Sequence, residues 1–362
     1  MFEFNKSVAL LHLCHKMPIV LRIILSPLAP FWWLFTVVKR WIYAAGIKKR
    51  YQSRLTTLVV GNLSMGGTGK TPFSIFLIEQ LLKRNIQVAY LSRGYGRNTK
   101  GLLKVDIKSA PDQVGDEALM IKMRFPEADV VVCENRKEGL QFLESSSMSR
   151  VVVMDDAFQH LRIKADHYFL LTTYEKPFFK DFVFPVGALR EPRFFAKAAD
   201  SVVVTKAPEG LNSDQIESLN KGQKKYSDLE SSTSSVKYAN KLKAVFDSQT
   251  IDINKTMAIG FAGIAHAASF ESKLKENYHL VDFTAFGDHH EYTASDFKLI
   301  ANSFEKNNSI EIVLTTEKDA ARLQTLKAKK ALGHLPLFYW PIQLEPDAEL
   351  VTEIDNIIEN KC

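Results

Sequence analysis

The stretch LTTLVVGNLSMGGTGKTPF, residues 55–73, decides the fold that we expect for this chain. Its first part is an apolar, β-branched run of the kind that forms a buried strand. A Gly-rich turn follows and ends in Gly69, Lys70 and Thr71, and the next segment, SIFLIEQLLKRN, has apolar positions at helical spacing. A strand, such a turn and a helix in that order predict a loop that binds phosphate groups.

The loop differs from the usual G-x-x-x-x-G-K-[ST] pattern because Ser64 occupies the first glycine position. The chemistry is kept, since the glycines let backbone N–H groups converge on phosphate oxygens and the helix adds its positive end. We expect Lys70 to reach the β- and γ-phosphates and the Thr71 hydroxyl to hold Mg²⁺. The residues predicted to bind the nucleotide are Ser64, Met65, Gly66, Gly67, Thr68, Gly69, Lys70 and Thr71.

An enzyme with such a loop also needs a carboxylate for magnesium at the end of a buried strand. The segment RVVVMDDAFQH supplies Asp155 and Asp156 directly after an apolar run. Adjacent side chains on a strand point to opposite faces, so the two carboxylates are expected to differ in role. One contacts Mg²⁺ or its water and the other orients or assists, and the pattern leaves open which is which.

Two further polar stretches are candidates for a part in chemistry. Asp116 and Glu117 open the predicted helix DEALMIKMRF, where the helix dipole favours an acid whatever its function, so a helix cap is an alternative. The stretch AFGDHHEY follows a predicted strand and holds Asp288, His289, His290 and Glu291. Its spacing is not that of a standard zinc motif, and a metal site, a proton relay and a solvated loop all remain open.

The order of the elements predicts an α/β fold with a mostly parallel sheet, because strands alternate with helices. The Ser- and Lys-rich stretch 209–245 predicts a helix plus a connector, and a second α/β stretch follows it. The predicted division is an N-terminal hydrophobic membrane-associated segment (1–50), a P-loop core (51–210), a connector (211–245) and a smaller C-terminal α/β lobe (246–362).

Residues 17–38, MPIVLRIILSPLAPFWWLFTVV, are about as long as a bilayer core is thick. Arg22 and three prolines interrupt the run, and Lys39 and Arg40 follow it. A signal peptide, a buried soluble helix and a membrane anchor are the alternatives, and the flanking basic residues and tryptophans favour an anchor that lies on or in the membrane. The basic residues would keep the C-terminal remainder of the chain on the cytoplasmic side.

The composition is that of a globular protein with a sizeable core, since 46% of the 362 residues are apolar and 24% are charged. A formal net charge of +6 does not by itself distinguish nucleic acid, an anionic membrane or an acidic substrate. Cys14, Cys133 and Cys362 are far apart and lack metal-type spacing, so we expect free thiols rather than a disulfide framework or a zinc site.

Taken together, the motifs identify a family. In chain order they are VGNLSMGGTGKTP, LSRGYGR, VGDE, CENRKEG, MDDAFQH, PVGALREP, FAGIA, FGDHHEY and LTTEKDAAR. In this set the chain resembles the tetraacyldisaccharide 4'-kinases, the lipid A 4'-kinase family. The resemblance implies a P-loop NTPase core, ATP and Mg²⁺ as cofactors, and transfer of the γ-phosphate to the 4'-hydroxyl of a tetraacylated disaccharide 1-phosphate.

The resemblance also implies roles for residues. Asp116 matches the proposed catalytic base and His289 the histidine that pairs with it, although His290 beside it leaves that pairing open. Lys70 and Asp156 join them as catalytic residues, and Thr71, Asp155 and Asp156 are the implied metal ligands. With less definite roles, Arg136, Arg190 and Glu191 match polar active-site residues that bind the substrate.

The implied partners are the glycolipid substrate and a membrane surface, at the cytoplasmic face of the inner membrane, with no nucleic acid and with protein partners left open. The alternative is a membrane-associated P-loop ATPase that acts as a switch with a protein partner. Met65 argues against it, because that class carries a lysine at this position. A GTPase is disfavoured because TKAP, residues 205–208, ends in proline where guanine recognition needs an aspartate.

Overall fold

The computed structural model describes residues 19–252 and 256–362. Residues 1–18, which include Cys14 and the start of the predicted hydrophobic segment, lie outside the described residues. The chain divides into two compact units. Unit 1 takes the described part of Met1–Arg93 together with Asn135–Val236 and Leu344–Cys362, and unit 2 takes Gly94–Glu134 and Lys237–Gln343.

The strands are numbered here in chain order. They are β1 (Tyr51–Gln52), β2 (Thr56–Asn62), β3 (Val88–Ser92), β4 (Leu103–Val105), β5 (Asp129–Val132), β6 (Val151–Asp155), β7 (Ile163–Lys164), β8 (His167–Thr173), β9 (Ser201–Thr205), β10 (Ser231–Tyr238), β11 (Lys241–Ala244), β12 (Thr250–Asp252), β13 (Met257–Ala262), β14 (His279–Ala285), β15 (Ile312–Thr316), β16 (Leu337–Trp340) and β17 (Ile342–Pro346).

The α-helices are numbered in the same way. They are α1 (Ile19–Leu25), α2 (Ala29–Ala44), α3 (Lys70–Lys83), α4 (Pro111–Val114), α5 (Asp116–Arg124), α6 (Arg136–Ser146), α7 (Ser213–Gln223), α8 (Ala267–Asn277), α9 (Ala294–Glu305), α10 (Glu317–Arg322), α11 (Leu326–Leu332) and α12 (Ala348–Lys361). Three 3₁₀ helices are Ser26–Leu28, Phe178–Lys180 and Arg193–Ala198 among the described residues.

Unit 1 is built on a parallel sheet. Strands β10, β9, β8, β2, β6 and β3 pair in that order, and each of these pairs is parallel. The strand before the phosphate loop, β2, therefore lies between β6 and β8, with most of its residues buried. Because ligands of open parallel sheets bind beyond the carboxyl ends of the strands, this order places the loop after β2 beside the acidic end of β6. The predicted α/β fold with a mostly parallel sheet is confirmed.

Unit 2 has a sheet of its own, in the order β12, β11, β16, β15, β13 and β14. The pairs β16–β15, β15–β13 and β13–β14 are parallel, whereas β12 and β11 add antiparallel pairs at one edge. Two apolar clusters pack against this sheet, one with Phe261 and Phe297 and the other with Leu314. Strands β4 and β5 form an antiparallel pair in the Gly94–Glu134 part of the unit.

The structure differs from the sequence-based expectation in two parts of the chain, the stretch 209–245 and residues 94–134. The sequence SSTSSVKY forms strand β10, paired in parallel with β9, where a connector was expected. Ser and Lys are poor strand signals, and β10 is held by pairing with its neighbour rather than by its own propensity. Residues 94–134 group with unit 2 although they lie within the predicted core segment, so the division into consecutive domains stays a prediction.

The apolar N-terminal segment is helical. Residues Val20–Ala44 form a 25-residue helical stretch of mean hydropathy 1.6, long and apolar enough to cross a membrane. Its exposed apolar side chains include Val20, Ile23, Ile24, Phe31, Phe35 and Trp41. A contiguous exposed apolar surface of this kind marks a protein or membrane contact.

A close approach of β2 to the segment after β6 makes Gly61 a stability determinant. A Cβ atom at Gly61 would lie 2.5 Å from the Phe158 Cβ and 2.9 Å from the Phe158 backbone nitrogen. Gly61→Ala should therefore lower the free energy of unfolding by about 1–3 kcal/mol and the melting temperature by several degrees. The matched control is Gly287→Ala, where a Cβ meets no atom within 4 Å. Equal melting temperatures for the two variants would contradict this packing argument.

Candidate active site

The phosphate loop has the backbone that its glycines predict. Gly66 and Gly69 adopt φ angles of 108° and 80°, in the region that favours glycine. Helix α3 begins at Lys70, so its positive N-terminal end and the loop amides face the same region. The side chain of Thr71, in the first turn of the helix, is buried.

Side chains at the carboxyl ends of β2 and β9 hold this loop in place. Asn62 Nδ2 donates to Thr68 Oγ1 at 2.7 Å, and Thr205 Oγ1 donates to the Thr68 carbonyl at 2.8 Å. Lys206 Nζ donates to the Gly67 carbonyl at 2.8 Å. With these carbonyls fixed, the loop is already shaped before any phosphate group binds, which lowers the ordering cost of binding.

The two acids at the end of β6 occupy different surroundings, as the sequence predicts, but not by strand alternation. Asp155 is the last strand residue and is buried, and its Oδ2 accepts from the Tyr90 hydroxyl at 2.9 Å. Asp156 has left the strand with a φ of 48°, an uncommon conformation for a residue other than glycine. Strained backbone of this kind recurs at active sites.

The carboxylate of Asp156 forms ion pairs with two cationic side chains. Arg190 Nη1 lies 3.0 Å and Lys70 Nζ 3.5 Å from Asp156 Oδ1, and the Asp156 side chain keeps 40% of its exposure. Desolvation opposes the charged form, but Arg190, Lys70 and Arg136 outweigh it and hold the pKa of Asp156 well below its usual range. Asp156 is therefore ionised at neutral pH and joins the phosphate loop to residue 190.

Two of the three predicted substrate residues are buried inside unit 1. Arg136 is 2% exposed and donates to the Asp155 carbonyl at 3.1 Å, and burial lowers the pKa of its guanidinium to about 10. Glu191 is also 2% exposed and pairs with Arg40 at 2.6 Å. This geometry suits a positioning role for both, whereas Arg190 remains partly exposed. Direct contact with substrate stays a prediction.

The predicted metal ligands have the chemistry that Mg²⁺ requires. Thr71, Asp155 and Asp156 offer one hydroxyl and two carboxylates, all hard oxygen donors. Among the described residues no group of three or more His, Cys, Asp or Glu forms a complete metal site. A magnesium ion held by one or two protein oxygens and by nucleotide phosphates needs no such group, so the donor set fits the ion.

A second polar cluster lies in unit 2 and includes Asp116. Asp116 is the first residue of α5 and is buried, and its Oδ1 accepts from the Glu117 N–H at 2.9 Å, as a helix-start acid does. Its Oδ2 has other partners. Arg322 donates to it through Nη2 at 2.6 Å and Nε at 2.9 Å, and His289 Nδ1 lies 3.4 Å away. The local contact at the helix start thus involves one oxygen of the carboxylate only.

The structure resolves which histidine accompanies Asp116. His289, whose own φ is 55°, is the histidine that contacts Asp116. Its ring packs edge-on against the ring of Tyr95. His290 instead stacks on Phe286 and pairs with Asp296 at 3.1 Å, at the start of α9. In this loop His289 therefore pairs with Asp116, whereas His290 makes a local structural contact.

Arg322 is the member of this cluster that the sequence argument missed. Its Nη1 donates to Asp319 Oδ1 at 2.8 Å and to the Gly263 carbonyl at 2.5 Å, while its other nitrogens hold Asp116. Asp319 is fully buried. The signal available in the sequence was the i, i+3 spacing of Asp319 and Arg322 in LTTEKDAAR, which places both on one helix face.

The charges in this cluster set the protonation of both candidate groups. Burial would raise the pKa of Asp116, but the contact with His289 and the charges of Arg322 and Lys318 lower it well below its usual range. The same contact raises the pKa of His289 above its ordinary value. Asp116 is therefore ionised at neutral pH, and of the two groups His289 holds a proton more tightly.

The pairing gives a testable titration. Asp116→Asn removes the main cause of the raised pKa of His289, so that pKa should fall. The pH dependence of the His289 imidazole NMR signals measures it. Because the folded-state pKa is raised, the pair stabilises the fold below the unfolded pKa, and this stabilisation is lost as the pH rises through the folded value. Asp296→Asn is the control, since Asp296 contacts His290 and not His289. An unchanged His289 titration in Asp116→Asn would show that the pair does not form in solution.

Comparison with known proteins assigns the chain to a family. The family described as LpxK, tetraacyldisaccharide-1-P 4'-kinase, matches residues 21–359. The tetraacyldisaccharide 4'-kinase of Flavobacterium johnsoniae is 35% identical over 320 residues, which cover 88% of this chain and 92% of that protein. The enzyme of the same name from Porphyromonas gingivalis is 30% identical over 328 residues, with 89% and 92% covered.

A solved structure agrees with these relatives. A crystal structure of LpxK from Aquifex aeolicus in complex with ATP superposes with a TM-score of 0.76 at 26% identity, and the match covers 93% of this chain and 99% of that one. The fold, the phosphate loop and the family match thus point the same way. This chain belongs to the tetraacyldisaccharide-1-P 4'-kinase family.

Proposed function

We propose that the chain performs its family's phosphoryl transfer, from ATP to the 4'-hydroxyl of a tetraacyldisaccharide 1-phosphate, with the residues described above. The product is the 4'-phosphorylated lipid A precursor. The observation that carries the proposal is the fixed phosphate loop whose Lys70 lies beside the ionised Asp156. The ATP in the Aquifex aeolicus structure supports the choice of nucleotide.

At the nucleotide, the loop amides and the start of α3 bind phosphate oxygens, and Lys70 places its charge where negative charge accumulates. Thr71 with Asp155 or Asp156 would hold Mg²⁺, which when bound offsets charge on the phosphoryl oxygens. Since phosphoryl transfer needs little covalent help from protein, this positioning supplies most of the rate enhancement.

At the acceptor, Asp116 and His289 receive the proton of the attacking hydroxyl. Asp116 has the lowered pKa and His289 the raised one, so Asp116 provides a fixed negative charge and His289 the position at which the proton comes to rest. Arg322 fixes the orientation of the Asp116 carboxylate through its two nitrogens. The pair thus works as a unit, as general bases often do with an orienting partner.

The location proposed for the enzyme is the cytoplasmic face of the inner membrane. The exposed apolar side of α1 and α2 would enter the membrane surface, where the acyl chains of the substrate also lie. Such an arrangement presents the sugar to the protein without extraction of the lipid. It also leaves the nucleotide site on the side where ATP is available.

The experiment that tests the function is phosphate transfer from γ-labelled ATP to tetraacyldisaccharide 1-phosphate, in detergent micelles with Mg²⁺. The wild-type protein should label the lipid, and Lys70→Ala should lose nearly all of that label because phosphate positioning and charge are both removed. Hydrolysis of ATP by the wild-type protein with no labelled lipid would overturn the kinase proposal and favour the switch ATPase.

The role of Asp116 has its own test. Asp116→Asn should lower kcat by about 10²–10⁴-fold, the range for loss of general base catalysis, with the KM for ATP within a few-fold of wild type. The control is Asp112→Asn, an exposed acid of the preceding helix α4, which should keep wild-type turnover. Near-normal kcat in Asp116→Asn would leave Asp116 as a structural helix-start acid.

A further inference from the structure

One face of helix α2 turns away from the exposed apolar surface and packs into unit 1. Trp32, Thr36 and Arg40 recur every four residues and so lie on one side of the helix. Thr36 is buried and Arg40 is only 9% exposed. The sequence pattern treated Arg40 as one of the basic residues that flank a membrane segment, whereas the structure directs it inward.

Arg40 is held by charge and by aromatic rings. Its Nη2 lies 2.6 Å and its Nε 3.2 Å from Glu191 Oε2. Its guanidinium also lies over the rings of Phe195 and Phe158, at 4.6 Å and 5.1 Å from their centroids. Removing one partner of a buried ion pair strongly destabilises the folded protein, because the other charge is left without compensation.

A second contact from the same helix face reaches the neighbouring residue. Trp32 Nε1 donates to the Arg190 carbonyl at 3.0 Å. Helix α2 therefore holds the Arg190–Glu191 dipeptide at two points that lie two helical turns apart. This is a specific docking of the helix rather than a general apolar contact.

The segment 188–191, which contains this dipeptide, is joined directly to the phosphate loop. Arg190 N–H donates to the Leu63 carbonyl at 2.7 Å, and Met65 N–H donates to the Ala188 carbonyl at 2.7 Å. The Arg190 side chain contacts Asp156, which in turn pairs with Lys70. Continuous hydrogen bonds and ion pairs thus lead from the apolar helix to the residues around the nucleotide phosphates.

We propose that Arg40 is a positioning residue of the nucleotide site, and that its pair with Glu191 couples docking of the apolar helix to nucleotide affinity. Arg40 touches no phosphate group itself. It fixes Glu191, and with Trp32 it fixes the segment that shapes the loop and aims Arg190 at Asp156. The coupling is reciprocal by linkage, so nucleotide binding stabilises the docked helix. The inference rests on the proposed role of the phosphate loop.

The test is the Kd for Mg²⁺–ATP of the full chain in detergent micelles, measured by displacement of a fluorescent ATP analogue. Arg40→Gln should weaken binding by at least about fivefold, within the usual range of site-to-site coupling. Arg40→Lys keeps the charge but loses the two-nitrogen contact, so an intermediate effect is expected. The control is Trp41→Ser, since Trp41 is the next residue and 61% exposed, and it should bind nucleotide as wild type does. Wild-type affinity in Arg40→Gln overturns the proposal.

Two further measurements separate positioning from general loss of structure. The double variant Arg40→Gln, Glu191→Gln removes both charges, so it should bind nucleotide more tightly than Arg40→Gln alone. Mg²⁺–ATP should also slow amide hydrogen exchange in residues 32–40 of the wild-type protein and not in Arg40→Gln. Equal exchange with and without nucleotide in the wild type contradicts the coupling.

Different experimental results would overturn the coupling and the kinase proposal. Nucleotide affinity that depends on Arg40 in a protein that labels no lipid would leave the coupling intact and remove the proposed reaction. Labelled lipid together with an Arg40→Gln affinity equal to wild type would leave the reaction intact and remove the coupling.

Discussion

The ion pairs that converge on Asp156 are the interaction on which the candidate nucleotide site depends. One carboxylate receives Lys70 from the phosphate loop and Arg190 from a distant segment of the chain. Because it stays ionised against the cost of partial burial, it offsets two positive charges that would otherwise repel each other. The left-handed backbone of Asp156 is what turns the side chain out of the sheet toward both cations.

The second acidic centre, around Asp116, is also an ionised carboxylate beside an arginine, but its third group is of a different kind. Asp116 is also kept ionised by an arginine, but its remaining neighbour is a titratable imidazole rather than a lysine. The first centre therefore contains only groups that keep their charge, whereas the second contains an imidazole whose pKa is raised by its contact with Asp116. The different roles proposed for the two centres rest on that third partner and not on the carboxylates themselves.

The sequence predicted the parts of the structure that local chemistry determines. The β2–loop–α3 unit, the acidic end of β6 and the apolar N-terminal helix follow from β-branched runs, glycines and helical spacing. It did not predict contacts that depend on tertiary placement, such as the arginine on Asp116 or the inward face of Arg40. Strand β10 was missed for the same reason, because SSTSSVKY pairs with a neighbour rather than showing a strand pattern of its own.

The sequence distance between Arg40 and Glu191 has a consequence for biosynthesis. The two residues are 151 positions apart, so at ordinary translation rates Arg40 is synthesised roughly 8–30 s before its partner. During that interval the apolar helix carries an uncompensated cation at its end. A long cationic side chain near a helix end keeps its charged head in polar surroundings until a partner is available. The ion pair that docks the helix can therefore form only after the phosphate loop and strands β2, β3, β6 and β8 have been synthesised.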